Sequence, residues 1–433
     1  MVTLFPHQKQ ALEMTAKQNQ VAYYLDMGLG KTFVGSEKMR LLDAKTNLIV
    51  CQKSKVEDWL KHFKQNYRWY KIGVSANEIF DLTKKDEFGA FIASVTLTGG
   101  QKKNMSIGVI NYDLIFRRPE LSKLRDFTLI LDESSLVQNE TSKRSKFILK
   151  KLKPENVILL SGTPTGGKYE KLWSQCQLLG WDISKTAFWN TYVKYHFEDF
   201  DGFPVKIIDG YKNVDRLKRK LREHGAVFMK SKEVFDLPQQ IDTNLHCTVS
   251  KEYRKFHKDA IVKFNDQELI GDTSLTKMLY ERMLCGVLNK DKLNLFKDLL
   301  NSTNDRLIVF YNFQNELMKL SEIVIDSDRP VSIINGDTKD LSAYENFENS
   351  VTLIQYQAGA MGLNLQKSNK ILYFTPPLSS ELFEQSKKRT HRIGQKRTCF
   401  YYYLICRNSV EEKIYETLKM RRDFTERLFT NDL

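Results

Sequence analysis

The chain has 433 residues, with 67 Lys and Arg against 53 Asp and Glu and a formal net charge of +14. At roughly 150 residues per domain this length predicts two or three domains, each able to bury a core without disulfides. A composition of 41% apolar and 28% charged residues is that of a folded soluble chain, and it excludes a mostly disordered, collagen-like or disulfide-stapled protein. The positive excess lies almost wholly in residues 1–240. It points to a polyanionic partner, nucleic acid above all, with a solvated basic surface as the alternative. The six cysteines form no CxxC pair and no Cys/His cluster of zinc spacing, so they read as buried thiols of a reducing compartment. No run of about 18 apolar residues offers a membrane span, and Pro6, His7, Gln8 and Lys9 interrupt any signal-peptide core. The expectation is a cytoplasmic protein, in the host cytoplasm if the source is a virus, with no membrane association.

In chain order, Asn47–Cys51, Ser106–Asn111, Phe127–Leu131 and Asn156–Leu160 read as short buried strands, each ending in a polar turn and alternating with helical periodicity. That alternation predicts a parallel, doubly wound α/β sheet. Between Trp181 and Gln240 the pattern breaks into an aromatic, basic stretch. There Val214–His224 reads as a helix carrying Arg216, Lys218, Arg219, Lys220 and Arg222, either a nucleic-acid contact or a solvated face. Residues 251–300 are mostly helical in pattern. Strand candidates return at Arg306–Tyr311, Val331–Ile334, Val351–Gln355, Ile371–Phe374 and Cys399–Ile405, and a helix from Ser409 closes the chain with Val410, Ile414 and Leu418 as a core stripe. The predicted organisation is a first lobe at 1–181, a basic helical region at 182–300 and a second lobe at 301–433.

Ligands of parallel sheets bind beyond the carboxyl ends of the strands, so the turns there should carry the chemistry. Asp26-Met27-Gly28-Leu29-Gly30-Lys31-Thr32 is a glycine-rich turn whose backbone N–H groups can close around phosphate oxygens, with Lys31 reaching the β and γ phosphates and the Thr32 hydroxyl ligating Mg²⁺. Leu25 stands where the usual phosphate-loop pattern begins with glycine, which leaves an ordinary glycine-rich turn open on this motif alone. Asp132 and Glu133 end an apolar strand. Asp132 suits Mg²⁺, and Glu133 suits orienting and deprotonating an attacking water. Acidic pairs at strand ends are commonplace, and this one gains meaning by following a phosphate loop. Leu160-Ser161-Gly162-Thr163-Pro164 either couples a nucleotide site to its neighbours or is a plain turn. In Gln385–Gln395, Arg389 and Arg392 stand three apart; on a helix they share a face, and two guanidinium groups suit a γ-phosphate on which charge develops. A solvated basic helix is the alternative.

Taken in order, Gly28-Leu29-Gly30-Lys31-Thr32, Asp132-Glu133, Gly162-Thr163-Pro164 and His391-Arg392-Ile393-Gly394-Gln395 resemble the motifs of superfamily-two helicase-like ATPases. The phrases Asp26–Thr32 and Arg389–Gln395 resemble the Swi/Snf family of DNA-dependent ATPases in particular, in the compact form carried by bacteria and their viruses. The resemblance covers roughly residues 4–415. It implies two RecA-like doubly wound parallel-sheet lobes with helical insertions between them, using ATP and Mg²⁺ at the lobe interface. The implied catalytic residues are Lys31, Asp132, Glu133, Arg389 and Arg392. Nucleotide contacts fall on Gln8, Gly28, Leu29, Gly30, Lys31 and Thr32, and metal contacts on Thr32 and Asp132. Leu4–Gln8 resembles the adenine-recognition element, with Gln8 on the adenine edge.

Nucleic-acid contacts carry over to Lys53 in the segment Lys53–Trp59, to Asn111 in Val109–Asp113, to Gly162 and Thr163, and to Gly362 and Asn364 in Gln357–Leu365. Four departures from the family stand out: Leu25 in place of a residue that is usually small or acidic, Ser134-Ser135 after the acidic pair, Thr165-Gly166-Gly167 after Pro164, and Pro376-Pro377 in place of a tryptophan-containing turn. The implied activity is ATP-driven translocation on double-stranded DNA. A strand-separating DNA or RNA helicase is the alternative, and a non-translocating ATP-responsive DNA clamp is the third reading. No motif names a protein partner.

Overall fold

The computed structural model describes residues 2–67, 78–96, 105–200, 203–264, 267–359 and 363–429. The chain divides into two compact units, Met1–Val234 with Phe424–Leu433, and Phe235–Asp423. The region 182–300 is thereby shared, its first part lying in one unit and its second part in the other.

The first unit is built on strands β1 (Gln20–Leu25), β2 (Thr46–Cys51), β3 (Glu78–Asp81), β4 (Ser106–Asn111), β5 (Phe127–Asp132) and β6 (Asn156–Ser161), followed by β7 (Val193–Phe200), β8 (Phe203–Tyr211) and β9 (Ala226–Met229). Seven of these form a wholly parallel sheet in the order β3-β4-β2-β5-β6-β1-β9. Strands β2, β4, β5 and β6 are buried along nearly their whole length, as uninterrupted apolar runs in a sheet covered on both faces must be. β1 and β9 join them although the sequence reading passed them over. β1 reads Gln-Val-Ala-Tyr-Tyr-Leu, and its two tyrosines are wholly buried. The Tyr24 hydroxyl donates to Gln175 Oε1 at 2.9 Å, which removes the cost of burying it. The aromatic region expected to be helical instead holds the antiparallel ribbon β7–β8, where Lys206 Nζ sits 4.7 Å from the Trp189 ring centre and 4.1 Å from that of Tyr195. The helix after it forms as expected, at Val214–Glu223.

The second unit has a parallel sheet of β10 (Gln240–Cys247), β13 (Leu307–Tyr311), β14 (Val331–Ile334), β15 (Val351–Gln355), β16 (Lys370–Tyr373) and β17 (Cys399–Cys406), in the order β10-β17-β16-β13-β15-β14. A two-stranded ribbon, β11 (Ile261–Phe264) with β12 (Gln267–Ile270), lies outside it. Alternate residues feed two cores: Leu307, Val309 and Tyr311 join one and Ile308 and Phe310 the other. The sheet is therefore packed on both faces, the doubly wound arrangement expected for each lobe. The closing helix Val410–Phe429 contributes Ile414 and Leu418 to one core. All six cysteines are buried and free. No helix among the described residues is long and apolar enough to cross a membrane.

One ion pair in this unit is fully enclosed. Lys292 Nζ lies 2.5 Å from Glu411 Oε1, with both side chains wholly buried. The other Glu411 oxygen accepts from the Cys406 backbone N–H at 3.0 Å. Removing one partner strands a charge in a low-dielectric interior, which costs about 3–5 kcal/mol, whereas replacing both by apolar groups of similar volume is close to neutral. Lys292→Met is therefore expected to lower the unfolding free energy of this unit by about that amount in urea titrations, and Lys292→Met combined with Glu411→Leu to recover most of the loss.

Candidate nucleotide site and nucleic-acid cleft

β1 ends at Leu25, and the chain turns through Asp26–Gly30 into helix α2 (Lys31–Leu42), which follows α1 (Pro6–Met14) in the chain. Gly28 and Gly30 sit at φ 89° and 74°, values that an L side chain rarely adopts. Gly30 is also pressed from outside: a Cβ there would stand 2.2 Å from Gln8 Nε2. No side chain caps α2, which leaves its leading amides and the positive end of its dipole for an anion. Lys31 Nζ donates to the Leu25 carbonyl at 3.1 Å and lies 3.2 Å from where a Cβ of Gly162 would be. Leu25 is thus a wholly buried strand residue that serves the site through its backbone, which accounts for the departure from glycine. The turn is braced from just past β9, where Ser231 N–H donates to Asp26 Oδ2 at 3.3 Å and Ser231 Oγ to the Met27 carbonyl at 3.1 Å.

Gln8 is buried against this turn. Its Oε1 accepts from Phe5 N–H at 2.9 Å, and its Nε2 donates to the Leu29 carbonyl at 3.1 Å, a carbonyl that His7 Nε2 also approaches at 3.1 Å. A carboxamide so held keeps further donor and acceptor capacity for a base edge. Thr32 is the half-buried second residue of α2.

The acidic pair ends β5. Asp132 Oδ2 accepts from the Trp59 indole N–H at 2.9 Å. Burial raises the Asp132 carboxyl above its ordinary value, while the Trp59 bond and the charges of Lys31 and Lys55 oppose the rise. Glu133 adopts a left-handed backbone at φ 53° and accepts from Ser161 Oγ at 3.3 Å; that Oγ in turn accepts from Thr163 N–H at 3.1 Å. Tyr112, just past β4, donates its hydroxyl to the Asp132 carbonyl at 2.9 Å. The buried Ser134 donates to Gln175 Oε1 at 2.8 Å, and Gln175 Nε2 donates to the Pro164 carbonyl at 2.8 Å. Ser134, the first of the two serines that depart from the family's pattern, is therefore wired to the turn after β6 through Gln175. Trp59, Ser161, Gln175 and Ser231 escaped the sequence reading. Trp59 and Ser161 lay inside segments singled out above without being given a role of their own, and all four act through tertiary contacts.

Lys53 and Asn111 both line a cleft of ≈ 860 Å³ together with Lys61, Lys64, Lys84 and Arg117. Glu57, Asp81 and Asp113 also line it, so its charge is mixed with a basic surplus. Gly162 and Thr163 lie elsewhere, buried beside Lys31 and Ser161.

In the second unit the reading of Arg389 and Arg392 as one helical face is corrected. The helix ends at Lys387, and both arginines lie on the turns that follow. Gln395 pins these turns: its Nε2 donates to the Gln366 and Ser368 carbonyls at 3.0 Å each, and its Oε1 accepts from the Lys396 and Arg397 N–H groups at 3.0 Å each. Arg389 is buried and its Nη1 donates to the Leu363 carbonyl at 3.4 Å, beside the exposed Asn364. Arg392 is half-buried. Gly362 lies outside the described residues.

Comparison with known proteins gives a family match over most of the chain. The SNF2-related domain matches residues 7–298, and the helicase conserved C-terminal domain matches residues 291–394. A human SWI/SNF-related matrix-associated actin-dependent regulator of chromatin, subfamily A member 1, is 24% identical over 92% of this chain and 41% of its own length. The putative ATP-dependent helicase/translocase YwqA of Bacillus subtilis is 22% identical over 99% of this chain and 49% of its own. This chain thus spans less than half of either curated relative. Among solved structures, the Sulfolobus solfataricus SWI2/SNF2 ATPase core in complex with dsDNA is similar at 19% identity and a TM-score of 0.43, covering 100% of this chain and 94% of that one.

Two outcomes follow from the geometry. Gly30→Ala meets both the backbone strain and Gln8, and should weaken ATP binding at least ~10-fold in calorimetry. Gly180, at φ 72° with open space around it, is the control: Gly180→Ala should cost about 1 kcal/mol of stability and leave binding intact. Burial holds His62, which contacts Ser36 Oγ at 3.0 Å, down at about 4 from the ordinary 6.5. Its folded value lies below the unfolded one, so the stability is full above the ordinary value and is lost as pH falls toward the folded value. The Tm of His62→Gln should therefore fall less than that of the parent between about pH 7 and about pH 4.5.

Proposed function

Because the chain belongs to the SNF2-related domain family, we propose that it is an ATP-driven translocase on duplex DNA, with the nucleotide site assembled from Gln8, Gly28–Thr32, Asp132, Glu133, Arg389 and Arg392. The observation that carries this reading is a juxtaposition within one lobe: the anion-ready start of α2 and the Asp132–Glu133 pair stand on the sheet that also presents the basic cleft. The relative named a helicase/translocase and the net charge of +14 agree with it.

The residues fit ATP with Mg²⁺. The two left-handed glycines leave a concave run of amides for phosphate oxygens, and Thr32 and Asp132 supply the hard oxygen donors that Mg²⁺ takes. Thr32 and Asp132 would hold the ion, and its charge would offset the negative charge that develops during transfer. Gln8 would read the adenine edge. Glu133, fixed by Ser161, would take the proton of the attacking water. Lys31 would move from the Leu25 carbonyl to the phosphates, a short swing over Gly162. Arg389 and Arg392 would stabilise the charge leaving the γ-phosphate, a contribution worth roughly 10³–10⁵ in rate where arginine fingers have been measured. The nucleic acid would be held through its phosphates by Lys53, Asn111 and the neighbouring lysines, with little base reading.

The test is steady-state ATPase activity without nucleic acid and with duplex DNA, single-stranded DNA or RNA. Strong stimulation by duplex DNA and displacement of a triplex-forming strand are expected. Lys31→Ala should abolish turnover. Glu133→Gln should keep ATP binding and lose at least ~10²-fold in kcat. Stimulation by single strands or RNA alone would replace this reading with that of a strand-separating helicase.

A further inference from the structure

Helix α3 (Val56–Asn66) contributes residues to both sites of the first unit. One face is buried through Val56, Trp59 and Phe63. The other puts Glu57, Leu60, Lys61 and Lys64 into the basic cleft. The single polar atom of Trp59 is spent on one partner, Asp132 Oδ2, at 2.9 Å, while the residue is only 2% exposed. Its ring is clamped by Phe63, stacked at 5.5 Å, and by His62, edge-on at 5.8 Å. His62 in turn meets Phe33 of α2 edge-on at 4.8 Å and Ser36 Oγ at 3.0 Å. One helix thus touches both the carboxylate at the end of β5 and the helix that opens with Lys31 and Thr32, while showing its lysines to the cleft.

We propose that Trp59 is a positioning residue: its indole N–H aims the Asp132 carboxylate at the metal position, and α3 makes that aim respond to nucleic acid in the cleft. The proposal rests on the reading of the site given above. Bulk alone would be met by any large apolar side chain packed beneath α3. The hydrogen bond is what bulk does not require. It is charge-assisted, and it takes one of the two oxygens of a carboxylate that must present the other. Groups that orient a metal-binding carboxylate from behind typically change metal affinity 10–100-fold when removed. A shift of α3 on binding phosphates would move the donor directly, since Trp59 and the cleft-lining Leu60 are consecutive residues of one helix.

The experiment uses the full chain carrying Glu133→Gln, so that ATP is held without turnover. It measures ATP affinity as a function of Mg²⁺, with and without duplex DNA. Trp59→Phe keeps the ring and loses the donor. It should raise the Mg²⁺ concentration for half-maximal tightening of ATP binding about 10–100-fold, leave ATP binding in chelator unchanged, and abolish any shift of that midpoint by DNA. Trp59→His, a ring that keeps an N–H, should recover part of the midpoint and of the DNA response, and it stands in should the Phe variant fail to fold. An unchanged Mg²⁺ midpoint and DNA response in Trp59→Phe, whatever its stability, would overturn the proposal, as would a His variant that folds with no better midpoint than Phe. Parent protein with no Mg²⁺-dependent ATP binding would overturn the reading of the site itself, and this proposal with it.

Discussion

Parallel pairing of β1, β5 and β6 is the constraint from which the site follows. Tyr24 pairs with Ser161, and Asp132 with Leu160, so the three strands leave the sheet within a residue of one another. The glycine turn, the acidic pair and the Ser161–Thr163 turn are then neighbours by register, although more than a hundred residues separate the first from the last. A slip of one residue between β5 and β6 would turn Asp132 to the wrong face of the sheet, and one between β1 and β6 would carry the glycine turn out of step with the acidic pair. The long buried runs of β2, β5 and β6 make such a slip expensive, because every residue in them is committed to a packed side.

Around that register the polar groups meet a few shared partners. Gln175 takes hydroxyl donors from Tyr24 and Ser134 and gives its amide to the Pro164 carbonyl. Ser161 holds Glu133 and is itself held by the Thr163 amide. Such networks are costly when half made. Their completeness here keeps Glu133 in a left-handed conformation that an isolated glutamate would leave.

The sequence showed this architecture where physics is local. β2, β4, β5 and β6, and β13 through β17, are apolar runs bounded by turns, and the glycine turn, Asp132–Glu133 and the His391–Gln395 motif have fixed spacings. β1 was hidden because Tyr23 and Tyr24 look amphipathic until their partners are known. β10 was hidden because it is an edge strand of alternating exposure, Gln-Ile-Asp-Thr-Asn-Leu-His-Cys. Arg389 and Arg392 read as helical because nothing near them breaks a helix before Gly394, and the bonds from Gln395 to residues 366 and 368 that unwind them are long-range. Lys53–Trp59 was legible as a nucleic-acid segment of the family, whereas the indole's bond to a residue 73 positions away was not.

The placement of β10 has a consequence for how the chain matures. The first sheet has all its strands once Met229 has been made. The second cannot close its edge until β17, because β10 pairs only with that strand, and Cys247 lies 159 residues before its partner Cys406. Loops of that span close late, and chains fold from the amino end as they are synthesised. On a ribosome, the glycine turn and the acidic pair are therefore in place while the arginines are still untranslated, and the nascent first lobe must wait, folded, beside a second half whose edge strand is open to mispairing.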